Sequence, residues 1–167
     1  MIRFNKPFLF GQELENVNQA VREGRLAGNG DFTKSCHSFF QERYGFEKVL
    51  LTTSCTDALE MCALLLEIKE GDEVIIPSYT FVSTANAFAL RGAKIVFADS
   101  NSEHPNISIA SIKECITERT KAIVAVHYGG AACDMAALSE LCKNHKISLV
   151  EDAAQAIESF YNGKPLG

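Results

Sequence analysis

The chain has 167 residues, 47% of them apolar and 22% charged, enough to bury a core as one domain or as part of one. A formal net charge of -5 excludes general nucleic-acid binding, which needs a basic face, but allows an anionic small ligand held by backbone donors. The six cysteines form no CxxC pair, residues 1–7 carry no apolar signal core, and no segment reaches membrane-spanning length, so reduced thiols in a cytoplasmic protein are expected, with no membrane partner.

Two helices are predicted first, over residues 12–22 and 33–44, joined by the glycine-rich run Gly24-Arg25-Leu26-Ala27-Gly28-Asn29-Gly30. Residues 1–45 read as an N-terminal helical segment and residues 46–167 as part of a larger domain. From residue 48 onward strands and helices alternate. Strands are expected over 48–53, 73–77, 94–98, 121–126 and 147–151, and helices over 56–68, 83–90, 108–118 and 134–144. Ser108 and Asp134 cap the last two helices, while Gly71-Asp72 and Arg91-Gly92 supply the turns before two of the strands. The strands are continuous apolar runs, as expected when helices cover both faces of a sheet. The fold class is therefore α/β, with a mostly parallel sheet flanked by helices.

The corners at the ends of these strands carry the chemistry. Ile147-Ser148-Leu149-Val150-Glu151-Asp152-Ala153-Ala154-Gln155 is an apolar run ending in acids and passing into small residues that can start a helix. Asp152 falls at the carboxyl edge of the sheet, where α/β proteins build ligand sites, and an amide follows three residues later. That pair suits a protonated ring nitrogen beside a phenolic oxygen, as in pyridoxal 5'-phosphate; a cap for a following helix is the other reading of Asp152. Thr53-Ser54-Cys55-Thr56-Asp57-Ala58 offers hydroxyls and a helix N-terminus that would attract phosphate, or that simply cap the helix. The helix that follows is apolar nearly all round and is expected to be buried.

Phe81, with Tyr79 second to it, is placed to stack on a planar ring or to pack in the core. His127, ending the fourth strand, reads either as a substrate ligand or as a structural histidine. Cys142 and His145 share a helix without a second pair of ligands, so no metal site is expected.

Three stretches carry a family resemblance over essentially the whole chain: residues 71–81, Val126-His127-Tyr128-Gly129-Gly130 and Val150-Glu151-Asp152-Ala153-Ala154-Gln155. They resemble the nucleotide-sugar aminotransferases of fold type I, the DegT/DnrJ/EryC1/StrS family. The resemblance implies part of the large domain of a PLP-dependent transferase. Asp152 would pair with the pyridine nitrogen, Gln155 with the ring hydroxyl, Phe81 with the ring face, and Cys55 and Thr56 with the phosphate. It also implies glutamate and a dTDP-4-keto sugar as substrates, and a homodimer.

The family's cofactor-binding lysine lies beyond the Gly163-Lys164-Pro165-Leu166-Gly167 turn, and Lys164 does not match it. No catalytic residue is therefore assigned, and these residues alone are expected to be inactive, with exposed sheet edges that favour association. Two other readings stand beside this one: a PLP-dependent sugar dehydratase on the same scaffold, with histidine in place of that lysine, or a non-enzymatic remnant serving as an interaction module.

Overall fold

The computed structural model describes residues 6–167, so the first five residues of the start read above for a signal core lie outside it. It divides into two compact units, one running through Leu51 and the other spanning Thr52–Gly167. The sequence had suggested a division after residue 45.

The first unit holds α1 (Glu13–Arg22) and α2 (Asp31–Tyr44). The Glu13 carboxylate accepts from the N–H groups of Phe10 and Gly11, closing the entry to α1. Gly45, in the left-handed region at φ 73°, ends α2 by donating its N–H to Gln41.

The strand expected over residues 48–53 does not form. No other strand pairs with it among the described residues, and a strand without a ladder partner leaves its backbone groups unsatisfied. Instead Leu51 donates its N–H to His37 Nε2 of α2 at 3.2 Å, and Gln41 Nε2 donates to the Glu47 carbonyl. These bonds tie the segment to the first unit.

The second unit contains α3 (Cys55–Leu65), β1 (Glu73–Pro77), α4 (Val82–Ala89), β2 (Lys94–Ala98), α5 (Ile109–Cys115), β3 (Thr120–Val126), α6 (Met135–His145) and β4 (Ser148–Asp152). The four strands form one parallel sheet in the order β2-β1-β3-β4. Alternate side chains on each strand feed two cores. Val74, Ile76, Ala122 and Val124 pack with Leu59 and Ala63 of α3 and Phe88 of α4. Ile75, Ile123 and Ala125 pack with Ile112 of α5 and Leu138 and Leu141 of α6. This double covering explains the unbroken apolar runs in the sequence.

The expected caps form: Ser108 accepts from the Ser111 N–H and Asp134 from the Ala137 N–H. Helix α5 stops earlier than expected because Ile116 turns extended and Thr117 N–H bonds to Thr120 Oγ1. Helix α3 is less enclosed than its composition suggests. Leu59 and Ala63 are buried, but Leu64 and Leu65 face outward.

No helix follows β4. Asp152 Oδ1 accepts from the Ala154 N–H in a local turn, and the chain passes through further turns into a hairpin, β5 (Phe160–Tyr161) and β6 (Lys164–Pro165). Two residue pairs are too short a run to show an alternating pattern, so the hairpin was read only as a turn.

The chain leaves β1 toward β2 and leaves β3 toward β4, so the connections diverge between β1 and β3. That divergence makes the carboxyl edge of these strands the place where this kind of sheet opens a crevice.

Candidate active site at the carboxyl edge of the sheet

Three elements of the second unit converge on a pocket of about 220 Å³ lined by Cys55, Thr56, Phe81, Thr84, Asp152 and Ala154, among others. It is smaller than the roughly 300–1,000 Å³ of sites that enclose drug-sized ligands, a size suited to a single substituted ring.

Asp152 forms the polar floor. As the last residue of β4 it is 6% exposed, and Thr84 Oγ1 donates to its Oδ2 at 2.8 Å. Its Oδ1 accepts from the Ala154 N–H at 3.2 Å and faces the Cys55 thiol at 3.8 Å. A carboxylate offers about four acceptor positions. With three donors in place, one position on Oδ2 is left for a ligand N–H. Burial, then the neighbouring Asp152 charge, pushes the Cys55 thiol up, so it stays protonated and acts as a weak donor.

The N-terminus of α3 supplies the second wall. Ser54 is its N-cap and accepts from the Asp57 N–H, while the Asp57 carboxylate takes the hydroxyls of Thr53 and Ser54. These hydroxyl bonds hold the Asp57 carboxyl below the usual range. Of the hydroxyl residues that could cap the helix, Ser54 does so, and this leaves the first two helical N–H groups, of Cys55 and Thr56, without an intrahelical partner. An anion on the pocket side meets those two donors and the positive end of the helix.

Phe81 opens α4 and is 72% exposed while lining the pocket, so it is no part of the core. Tyr79 instead packs on Tyr128, with ring centroids 4.7 Å apart, across the crevice between β1 and β3.

His127 and Gln155 lie outside this pocket lining. The His127 ring is buried; its Nδ1 accepts from the Cys133 N–H at 3.1 Å and its Nε2 meets Glu151 Oε2 at 2.9 Å. Both ring nitrogens are thus used within the protein. That arrangement matches the structural reading of His127. Gln155 is exposed, and its Oε1 accepts from the Gly129 N–H at 2.7 Å, which leaves the amide NH₂ directed by that bond.

Sequence reading missed Thr84, the principal partner of Asp152. A signal existed: Thr80 and Thr84 stand four apart around the start of α4, and their hydroxyls lie 2.9 Å apart.

A family model of the DegT/DnrJ/EryC1/StrS aminotransferase family matches residues 9–167. The chain belongs to that family. It is similar to the GDP-perosamine synthase of Escherichia coli O157:H7, with 36% identity over 162 residues, covering 97% of this chain and 44% of the relative. Among solved structures it is similar to the aminotransferase TlmJ from Streptoalloteichus hindustanus, with 39% identity and a TM-score of 0.93 over 100% of this chain and 46% of that one. A Streptococcus pneumoniae protein described as a sugar aminotransferase and solved in its PLP form gives 27% identity and a TM-score of 0.91, over 98% and 45% of the two chains. The chain thus spans less than half the length of the proteins it matches. The likeness to solved aminotransferase structures also bears out the α/β class and the parallel, helix-covered sheet.

Proposed function

We propose that the pocket binds pyridoxal 5'-phosphate and that the chain carries the cofactor-holding part of a sugar aminotransferase. The observation that carries this is Asp152: a shielded carboxylate with one open acceptor position, in one pocket with two unpaired helix N–H groups and an exposed aromatic face. A phosphorylated pyridine needs these three features together: an acceptor for its ring N–H, donors for its phosphate, and an apolar plate for its ring.

In this reading Asp152 keeps a proton on the ring nitrogen, and Thr84 and Ala154 hold the carboxylate in place for it. Cys55 and Thr56 bind the phosphate, Phe81 covers the ring, and the Gln155 NH₂ holds the ring hydroxyl. When bound, the cofactor would supply an electron-withdrawing ring that stabilises the charge developing as an amino group passes from glutamate to a keto sugar. Among the described residues no lysine lines the pocket, and Lys164 is exposed on β6, so in this reading these residues hold the cofactor without completing the transfer.

The substrate we infer is a dTDP-4-keto-6-deoxy sugar, aminated as by dTDP-4-amino-4,6-dideoxygalactose transaminase in the synthesis of a surface polysaccharide of the enterobacterial common antigen type. Support comes from Phe4-Asn5-Lys6-Pro7, residues 28–33 and Ser54-Cys55-Thr56, which resemble that enzyme. A homodimer is part of the same proposal.

Binding of pyridoxamine 5'-phosphate, followed by its fluorescence, tests the cofactor site. Wild type is expected to bind, and Asp152→Ala to bind at least about tenfold more weakly, a loss of roughly 1.4 kcal/mol. Equal binding by the two overturns the reading. Assays of the polypeptide encoded by the gene, with glutamate and dTDP-, UDP- or GDP-linked 4-keto sugars, test the substrate; preference for the GDP sugar overturns the dTDP assignment alone.

A further inference from the structure

His127 sits at the centre of a network that nothing in the proposed cofactor contacts explains. His127 is buried at the end of β3 with three bonds. Its backbone N–H donates to the Asp152 carbonyl at 3.1 Å, its Nδ1 accepts from Cys133, and its Nε2 meets Glu151. Because Nδ1 accepts an N–H, the ring proton is on Nε2 and is donated to the Glu151 carboxylate. The same Glu151 oxygen accepts the Gly167 N–H at 3.1 Å. Those two donors hold the Glu151 carboxyl below its usual range.

What this network touches gives it consequence. Glu151 and Asp152 are successive residues of one strand, so their side chains project to opposite faces. Asp152 faces the pocket, and Glu151 locks the strand end from behind. The turn that begins at His127 presents the Gly129 N–H to the Gln155 side chain, and Gly130 presses on the same segment. A Cβ on Gly130 would lie 3.0 Å from the Gln155 carbonyl oxygen and 3.1 Å from Ser159 Oγ, and its φ of +80° is one that favours glycine. Gly167 is also confined, since a Cβ there would lie 3.1 Å from the methyl of Ala153.

We propose that His127 and Glu151 form a positioning pair that sets the ring-recognising end of the pocket, Asp152 and Gln155, and fastens the chain at Gly167 to it, without touching the ligand. The phosphate-recognising end at Cys55 and Thr56 is held separately by Ser54 and Asp57. The pair therefore acts on ring binding and not on phosphate binding. This rests on the cofactor reading for its meaning, but its geometry is independent of it.

The test compares Glu151→Leu, which removes the acceptor, with Glu151→Gln, which keeps an acceptor oxygen for both donors; His127→Phe is a second disruptive variant. Two measurements are made on the whole chain. In ¹H–¹⁵N NMR without ligand, wild-type His127 is expected to show the Nε2–H tautomer. Glu151→Leu is expected to move the Gly129 N–H and Gln155 NH₂ resonances while leaving the Thr56 N–H in place, and Glu151→Gln to restore them. In ligand titrations, Glu151→Leu is expected to weaken pyridoxamine 5'-phosphate about tenfold, leave inorganic phosphate unchanged, and be rescued by Glu151→Gln.

An Nδ1–H tautomer, unmoved Gly129 and Gln155 resonances, or equal losses for both ligands would overturn the proposal. If wild type binds no pyridoxamine phosphate, the cofactor reading fails while the NMR comparison still decides the positioning pair. Should Glu151→Leu and His127→Phe both fail to fold, Glu151→Gln still decides it, because wild-type resonances and affinity are required of that variant.

Discussion

Thr84 of α4 donates its hydroxyl to Asp152 of β4 at 2.8 Å, so a helix on one face of the sheet orients the carboxylate at its edge. Thr84 is fully enclosed, and Thr80 extends the hydroxyl chain outward. Thr84→Val keeps the shape and removes the donor. We expect it to destabilise the protein by about 1–3 kcal/mol, the usual cost of leaving a buried polar group without its partner. Urea unfolding measures this; an unchanged midpoint would show that water replaces the hydroxyl.

At the opposite end of the sheet, Glu73 is 1% exposed and accepts from Thr117 Oγ1, Arg119 Nη2 and Lys94 Nζ at 2.6, 2.8 and 3.1 Å. These bonds, led by Thr117, bring its carboxyl down to about 2. The folded value is depressed below that of an unfolded glutamate, about 4.3, so the stabilisation is fully present above about pH 4.3 and fades as the pH falls toward 2. Glu73→Gln is expected to lower stability at pH 7 and to flatten its fall between about pH 4 and 2. Denaturant midpoints at several pH values check both effects.

Ser54 closes α3 through the Asp57 N–H. Ser54→Ala is expected to cost about 1 kcal/mol, the typical loss of an N-cap. Because the same cap sets the Cys55 and Thr56 donors, phosphate affinity should fall with it. Thermal melts and phosphate titration read the two effects separately.

Cys55 tests the electrostatics of the pocket floor. Burial first and the Asp152 charge second raise its thiol, so alkylation at pH 8 should be slower than for a free cysteine. Asp152→Asn removes the charge and leaves the burial, so the rate should rise without reaching the free-thiol value. Site-resolved mass spectrometry follows the reaction. A slower rate in Asp152→Asn would contradict the assigned cause.

Much of this arrangement was legible in the chain itself, for identifiable reasons. Glu73–Pro77 and Lys94–Ala98 were found to the residue because each is an apolar run bounded by a glycine turn, although only the first is fully buried and the second forms the edge of the sheet. Ser108 and Asp134 were legible because capping is local chemistry. Residues 48–53 misled because strand composition cannot report whether a neighbouring strand exists. His127 was ambiguous for a related reason: its role depends on Cys133, six residues on in the loop after β3, and on Glu151, 24 residues away, which pairing of β3 with β4 brings to it. Asp152, Phe81, Cys55 and Thr56 were picked from separate corners of the sequence, and the fold brings all four to one pocket.

The central claim is that Asp152 holds a protonated pyridine ring. ¹⁵N NMR of pyridoxamine 5'-phosphate labelled at the ring nitrogen tests it most directly. At a pH where the free ring nitrogen is largely unprotonated, binding to wild type should move the resonance to the protonated position, and binding to Asp152→Ala should not. A bound ligand whose ring nitrogen remains unprotonated in wild type, or shifts equally in both proteins, would contradict the account.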